Sequence, residues 1–122
     1  MALRYVLDEH LRGPLWRAIQ WHNSSGVYPL DVVRVGDPVD LPLGAGDPAL
    51  LLWAEREQRI LVTHDPDTMP THWADHLAAG RHSAGVFMIR PHSTLPQILS
   101  FLRDAAYASA PAEWQDRIQF IP

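Results

Sequence analysis

Four aspartates stand where the chain could do chemistry: Asp8 and Asp65 directly behind runs of β-forming residues, Asp47 before Pro48, and Asp67 two positions after Asp65. Carboxylates are hard oxygen ligands suited to Mg2+ or Mn2+. One or two such ions activate a water and stabilise the leaving oxygen of a phosphodiester without a serine or cysteine nucleophile. Brought together without matching cations, the acids would raise one another's pKa, and a divalent ion relieves that strain. Glu9, beside Asp8, is an auxiliary candidate ligand. His64, Arg12 and Arg34 are candidate substrate contacts, and Arg81 and Arg90 are further candidates for phosphate.

Each of these residues also has a plainer reading. Asp47 before a proline is an ordinary helix start, and Asp8 could cap the helix that follows it. Asp67 fits an Asx turn. His72 and His76, four apart, would share a helix face as in some zinc sites, with His64 or His82 as a third ligand, but the glutamate of a protease motif is missing. Trp16, Trp21, Trp53 and Trp73 could stack bases, yet tryptophans at helical positions among apolar neighbours more often serve cores or subunit contacts. Trp114 is placed to close one edge of the core, and five tryptophans in so small a chain make a homodimer a reasonable expectation.

The elements that must position these residues follow from hydrophobic periodicity. Strands are expected at Leu3–Leu7, Asp31–Val35, Arg59–Thr63 and Gly85–Arg90, with an edge strand at Arg117–Ile121. Helices are expected over 14–21, from Asp47-Pro48 to about Glu57, from Thr71 to Ala79 and from Thr94 to Ala108. The Pro- and Gly-rich segment from Gly36 to Gly46 should be a loop over one end of the sheet. Strands alternating with helices imply right-handed crossovers and an α/β fold with a mainly parallel sheet of four to five strands, covered on both faces. In such sheets ligands bind beyond the carboxyl ends of the strands, where both acidic clusters lie.

Composition narrows the chemistry. The 122 residues make one domain, with 47% hydrophobic and 20% charged residues and no apolar run long enough to span a bilayer. There is no cysteine, so thiolate zinc sites and disulfides are excluded and a reducing compartment fits. With nothing like an export signal in Leu3–Leu7, cytoplasm is the expected location. All ten basic residues are arginine. That removes aspartyl phosphoryl transfer of the kind that needs a lysine beside the phosphoryl group. A net charge of −4 argues against bulk electrostatic binding of nucleic acid, so any such contact must be local.

The order of strand-Asp8, Asp47 leading into a helix, then Leu61-Val62-Thr63-His64-Asp65-Pro66-Asp67 resembles the PIN domain superfamily. The likeness covers roughly Leu3 to Ile89 and is greatest to short bacterial PIN-like proteins whose first motif is Leu-Asp-Glu, here Leu7-Asp8-Glu9. The resemblance implies a compact, three-layer Rossmann-like fold and a Mg2+- or Mn2+-dependent ribonuclease, with an RNA substrate and an antitoxin protein as partner where the relative is a toxin. It places the family's acids on Asp8, Asp47 and Asp65, with Asp67 a less constant companion. Two features depart from the pattern: the helix that carries another acid before Asp47 is missing, so Glu9 would have to replace it, and Thr68 stands where an aromatic is usual. A catalytically weak or inactive module that binds protein or nucleic acid is the alternative expectation.

Overall fold

The computed structural model describes residues 2–122. Five strands, β1 (Arg4–Leu7), β2 (Asp31–Arg34), β3 (Ile60–Thr63), β4 (Val86–Ile89) and β5 (Ile118–Ile121), form one sheet in the order β2-β1-β3-β4-β5 with every neighbouring pair parallel. The helices are α1 (Pro14–Ser24), α2 (Asp47–Glu57), α3 (Met69–Ala78) and α4 (Leu95–Ala108), with short 3-10 turns at Glu9–Leu11 and Pro111–Glu113. The α/β architecture expected from the alternation is present, and β5 and β2 occupy the two edges.

Alternating strand residues sort the core into two layers. Tyr5, Leu7, Phe87 and Ile121 face Leu15 and Ile19 of α1 and Ile98 and Leu102 of α4. Val6, Leu61, Val86 and Met88 face Leu50, Leu51 and Trp53 of α2 and Met69, at the start of α3. The molecule is therefore three-layered, with two helices on each face. None of its described helices is long and apolar enough to cross a membrane.

This arrangement corrects one expectation. From β1 to β2 the chain steps one way across the sheet over the α1 face, whereas from β4 to β5 it steps the other way with α4 on that same face. The two crossovers therefore have opposite hands. Those through α2 and α3 share the hand of the first, so the β4-α4-β5 connection is the left-handed one, against the strong right-handed rule. Its physical reason is coverage: a right-handed return would crowd α4 beside α2 and α3 and leave α1 alone on the opposite face. The Tyr5 hydroxyl ties β1 to α4 on this face by donating 2.7 Å to the Leu102 carbonyl.

At the amino-terminal edge of the sheet the turns before β4 and β5 are clipped together. The Asp116 carboxylate accepts from the Ser83 amide at 2.7 Å and faces His82 Nδ1 at 2.9 Å. Gly85, at φ +123°, sits so close to this turn that a Cβ would meet the Trp114 carbonyl oxygen at 2.7 Å. The ion pair raises the pKa of His82 and, behind the Ser83 amide, lowers that of Asp116. The His82 contribution is full below its ordinary value of about 6.5 and disappears as pH rises through the raised one. The Asp116 contribution is full above its ordinary value of about 4 and disappears as pH falls through the lowered one. The melting-temperature gap between wild type and His82→Ala should therefore be widest near pH 5 and shrink by pH 8, read by circular dichroism.

Candidate acidic site

The carboxyl ends of β1 and β3 lie side by side at the centre of the sheet, where the strand order reverses. There Asp8, Glu9, Asp47 and Asp65 line one cavity of about 180 Å3, closed by Val35, Leu50 and the Gly44-Ala45 backbone. The sequence brought four of its five candidate acids to one spot. Asp67 is the exception: it is exposed and does not line the cavity.

Asp8 is buried, 6% exposed, and held on both oxygens. Oδ1 accepts from the His10 amide at 2.8 Å, capping the 3-10 turn, and Oδ2 accepts from the Thr63 hydroxyl. The capping reading thus holds for Asp8, but for this short turn rather than for α1. Thr63 is fully buried, and its hydroxyl oxygen also accepts from the Asp65 amide at 3.2 Å. Asp65 Oδ1 accepts from the amides of Asp67, at 2.9 Å, and Thr68, at 3.3 Å, so the Asx turn belongs to Asp65 and not to Asp67.

Asp47 does not cap α2. Gly46 is the cap residue and Asp47 sits in the first turn, leaving its carboxylate free to face α3. The Thr68 hydroxyl joins the two acids, 2.6 Å from Asp65 Oδ2 and 3.2 Å from Asp47 Oδ2. Those two oxygens are consequently less than about 6 Å apart, and one hydroxyl proton cannot fully serve both. Asp65 is held ionised: the Thr68 hydroxyl, then the Asp67 and Thr68 amides, lower its pKa below the ordinary value. The amino-terminal ends of α2 and α3 add favourable partial charge beside Asp47 and Thr68.

Glu9 serves the loop. Its carboxylate accepts from the Gly44 amide at 2.7 Å, while Trp53 Nε1 donates 3.0 Å to Asp40 and Leu41 is buried beneath, so the segment from Gly36 to Gly46 packs over the sheet as its composition implied. Arg12 and Arg34 are engaged with the protein itself. Arg34 grips Asp37 through two bonds of 2.9 and 3.0 Å above the Trp16 ring, and Arg12 reaches the Val35 carbonyl and lies 3.8 Å from Asp37. His64 is exposed and does not line this cavity; its ring centroid lies 6.3 Å from that of His10, with the planes inclined by 24°. His76 is buried and bound to the His82 carbonyl and Glu55, while His72 lies 4.0 Å from Asp47.

Among the described residues no arginine pairs with Asp8, Glu9, Asp47, Asp65 or Asp67. The site is a concave, negatively charged pocket with hard oxygen donors. No protein-family model, curated protein or solved structure matches the chain. Among the described residues, no three or more His, Asp or Glu side chains converge to hold a metal ion as they stand. The donor set has the chemistry of a Mg2+ or Mn2+ site, but its oxygens are turned towards the hydroxyls of Thr63 and Thr68 and the nearby amides.

The threonines are what sequence reasoning missed. Thr63 ends a strand and Thr68 follows Asp65 by three, a spacing at which a side chain meets its neighbour's carboxylate, so both hydroxyls had a local signal. Thr63→Val keeps the shape of the buried residue but removes the donor to Asp8. It should cost about 1–3 kcal/mol in urea unfolding, with Thr63→Ser recovering most of the loss.

Proposed function

We propose that this chain is a PIN-like, Mg2+- or Mn2+-dependent endoribonuclease whose carboxylates of Asp8, Asp47 and Asp65 hold the metal, with Glu9 and Asp67 in support. The observation that carries the reading is the gathering of four acids around one cavity, unpaired with arginine, at the carboxyl edge of β1 and β3. When bound, the ion supplies a water of lowered pKa and stabilises charge on the leaving oxygen. The protein's own part is preorganisation. Thr63 and the His10 amide fix Asp8 and Thr68 and two amides keep Asp65 ionised, and both carboxylates would turn from these donors to the ion on binding. His64 stands beside the acids where a substrate strand would pass.

A toxin's role beside an antitoxin protein follows from the resemblance, and cytoplasm from the absence of cysteine. A homodimer is supported by Trp21, which is 82% exposed.

A second reading is favoured by one specific observation: the acids are already satisfied by threonine hydroxyls and amides and do not converge on a point. In that reading the module binds a partner and cleaves nothing. The two are separated by incubating the protein with single-stranded RNA and with DNA in Mn2+ or Mg2+, beside Asp8→Asn and Asp65→Asn. Metal-dependent RNA cleavage lost in both variants supports the nuclease. Cleavage that survives both, or none under either metal, rejects it.

A further inference from the structure

The left-handed return of α4 has a consequence at the carboxyl edge of the sheet. The segment after β4 leads to α4 on the α1 face, and the space between this segment, the 3-10 turn and the start of α1 is a cavity of about 500 Å3. Its floor is apolar, formed by Leu15, Ile89 and Ile98, and its rim carries His10, His64 and Arg90. His10 also lines the acidic cavity, so one side chain borders both spaces.

The rim groups have the chemistry of a nucleotide site. The imidazoles of His10 and His64 are inclined by only 24° with centroids 6.3 Å apart, so two near-parallel planar rings stand on one rim. Arg90 is exposed, makes no ion pair among the described residues and lies 6.0 Å over the Phe120 ring, which leaves its guanidinium available to an anion. Thr94 caps α4, whose first residue, Leu95, lines the cavity, so the positive end of that helix adds to the field beside Arg90. The volume falls within the roughly 300–1,000 Å3 usual for small-molecule pockets.

We propose that this cavity seats one nucleotide of single-stranded RNA, its base against the imidazole faces of His10 and His64 and its phosphate on Arg90, delivering the adjoining phosphodiester to the acidic cavity. The assignment rests on the nuclease reading for the identity of the strand. An apolar floor with aromatic faces takes a base in stacking without reading its sequence, which suits a chain whose overall charge of −4 cannot bind the backbone by bulk attraction.

The test is a titration of the protein with AMP and with UMP, following the ring-proton resonances of its histidines by NMR, beside ribose 5-phosphate, which has no base. The nucleotides should shift the His10 and His64 resonances upfield while ribose 5-phosphate leaves them nearly unmoved. His10→Ala, an exposed position, should weaken binding of a fluorescent hexanucleotide RNA about five- to a hundredfold, the range of one lost stacking contact. Arg90→Gln should weaken it as well and reduce its dependence on salt. Nucleotides that move neither histidine, or a folded His10→Ala that binds RNA as the wild type does, would overturn the proposal. Nucleotide seating without cleavage under either metal would uphold the pocket and remove the nuclease reading. Cleavage with both histidines unmoved would do the reverse.

Discussion

Asp65→Asn should reduce metal-dependent RNA cleavage at least about a hundredfold, the scale on which loss of one preorganised charge-stabilising group acts. The substitution is clean because asparagine can reproduce most of what Asp65 does structurally. Its oxygen can still accept from the Asp67 and Thr68 amides, and its amide group can donate to the Thr68 hydroxyl in place of accepting from it. What disappears is the negative charge that the surroundings are arranged to keep, as the lowered pKa of Asp65 indicates. Unfolding by urea should therefore change little while cleavage collapses. A fall in stability matching the fall in rate would mean that the residue is structural.

Phe87→Ala should give the largest loss of stability among the substitutions considered, about 3–5 kcal/mol, as for other large aromatic truncations in closed cores. Phe87 is 0% exposed at the centre of β4, with the rings of Tyr5, Phe101 and Trp114 at 5.9, 5.3 and 5.0 Å. These come from β1, α4 and the turn before β5, so the phenyl ring joins the first strand of the fold to its left-handed last crossover. Thermal unfolding should move down by roughly 10–20 °C for a domain of this size. The matching truncation on the opposite layer, Met88→Ala, keeps the α4 contacts and should cost less.

The α/β class was legible because each strand carries adjacent β-forming apolar residues and each helix is marked at its start. Pro14, Pro48, Pro70 and Pro96 each lie in the first two positions of a helix, and the Thr94-Gln97 capping box is complete. The hand of the β4-α4-β5 crossover was not legible. It depends on which face remains bare after α2 and α3 have packed, which is a property of the whole sheet and of no local segment. Without it the cavity beneath Arg90 could not be foreseen.

The site was legible in part for a related reason. Strand ends place Asp8 and Asp65 together once β1 and β3 pair, and the residues themselves announce the strands. What each carboxylate touches depends on rotamers and on neighbours from other elements. Thus Asp47, a natural cap by its place before Pro48, turns instead to Thr68 across the gap between α2 and α3. Arg34 likewise ends β2 as a phosphate contact would, yet is taken by Asp37 three residues on.

Isothermal titration of Mn2+ into the metal-stripped protein measures whether the gathered acids hold an ion before any substrate is involved. The wild type should show saturable binding of one or two ions, lost in Asp8→Asn and in Asp65→Asn while both variants remain folded. A wild type that takes up no Mn2+, or variants that bind it as tightly as the wild type, would contradict the proposed metal site.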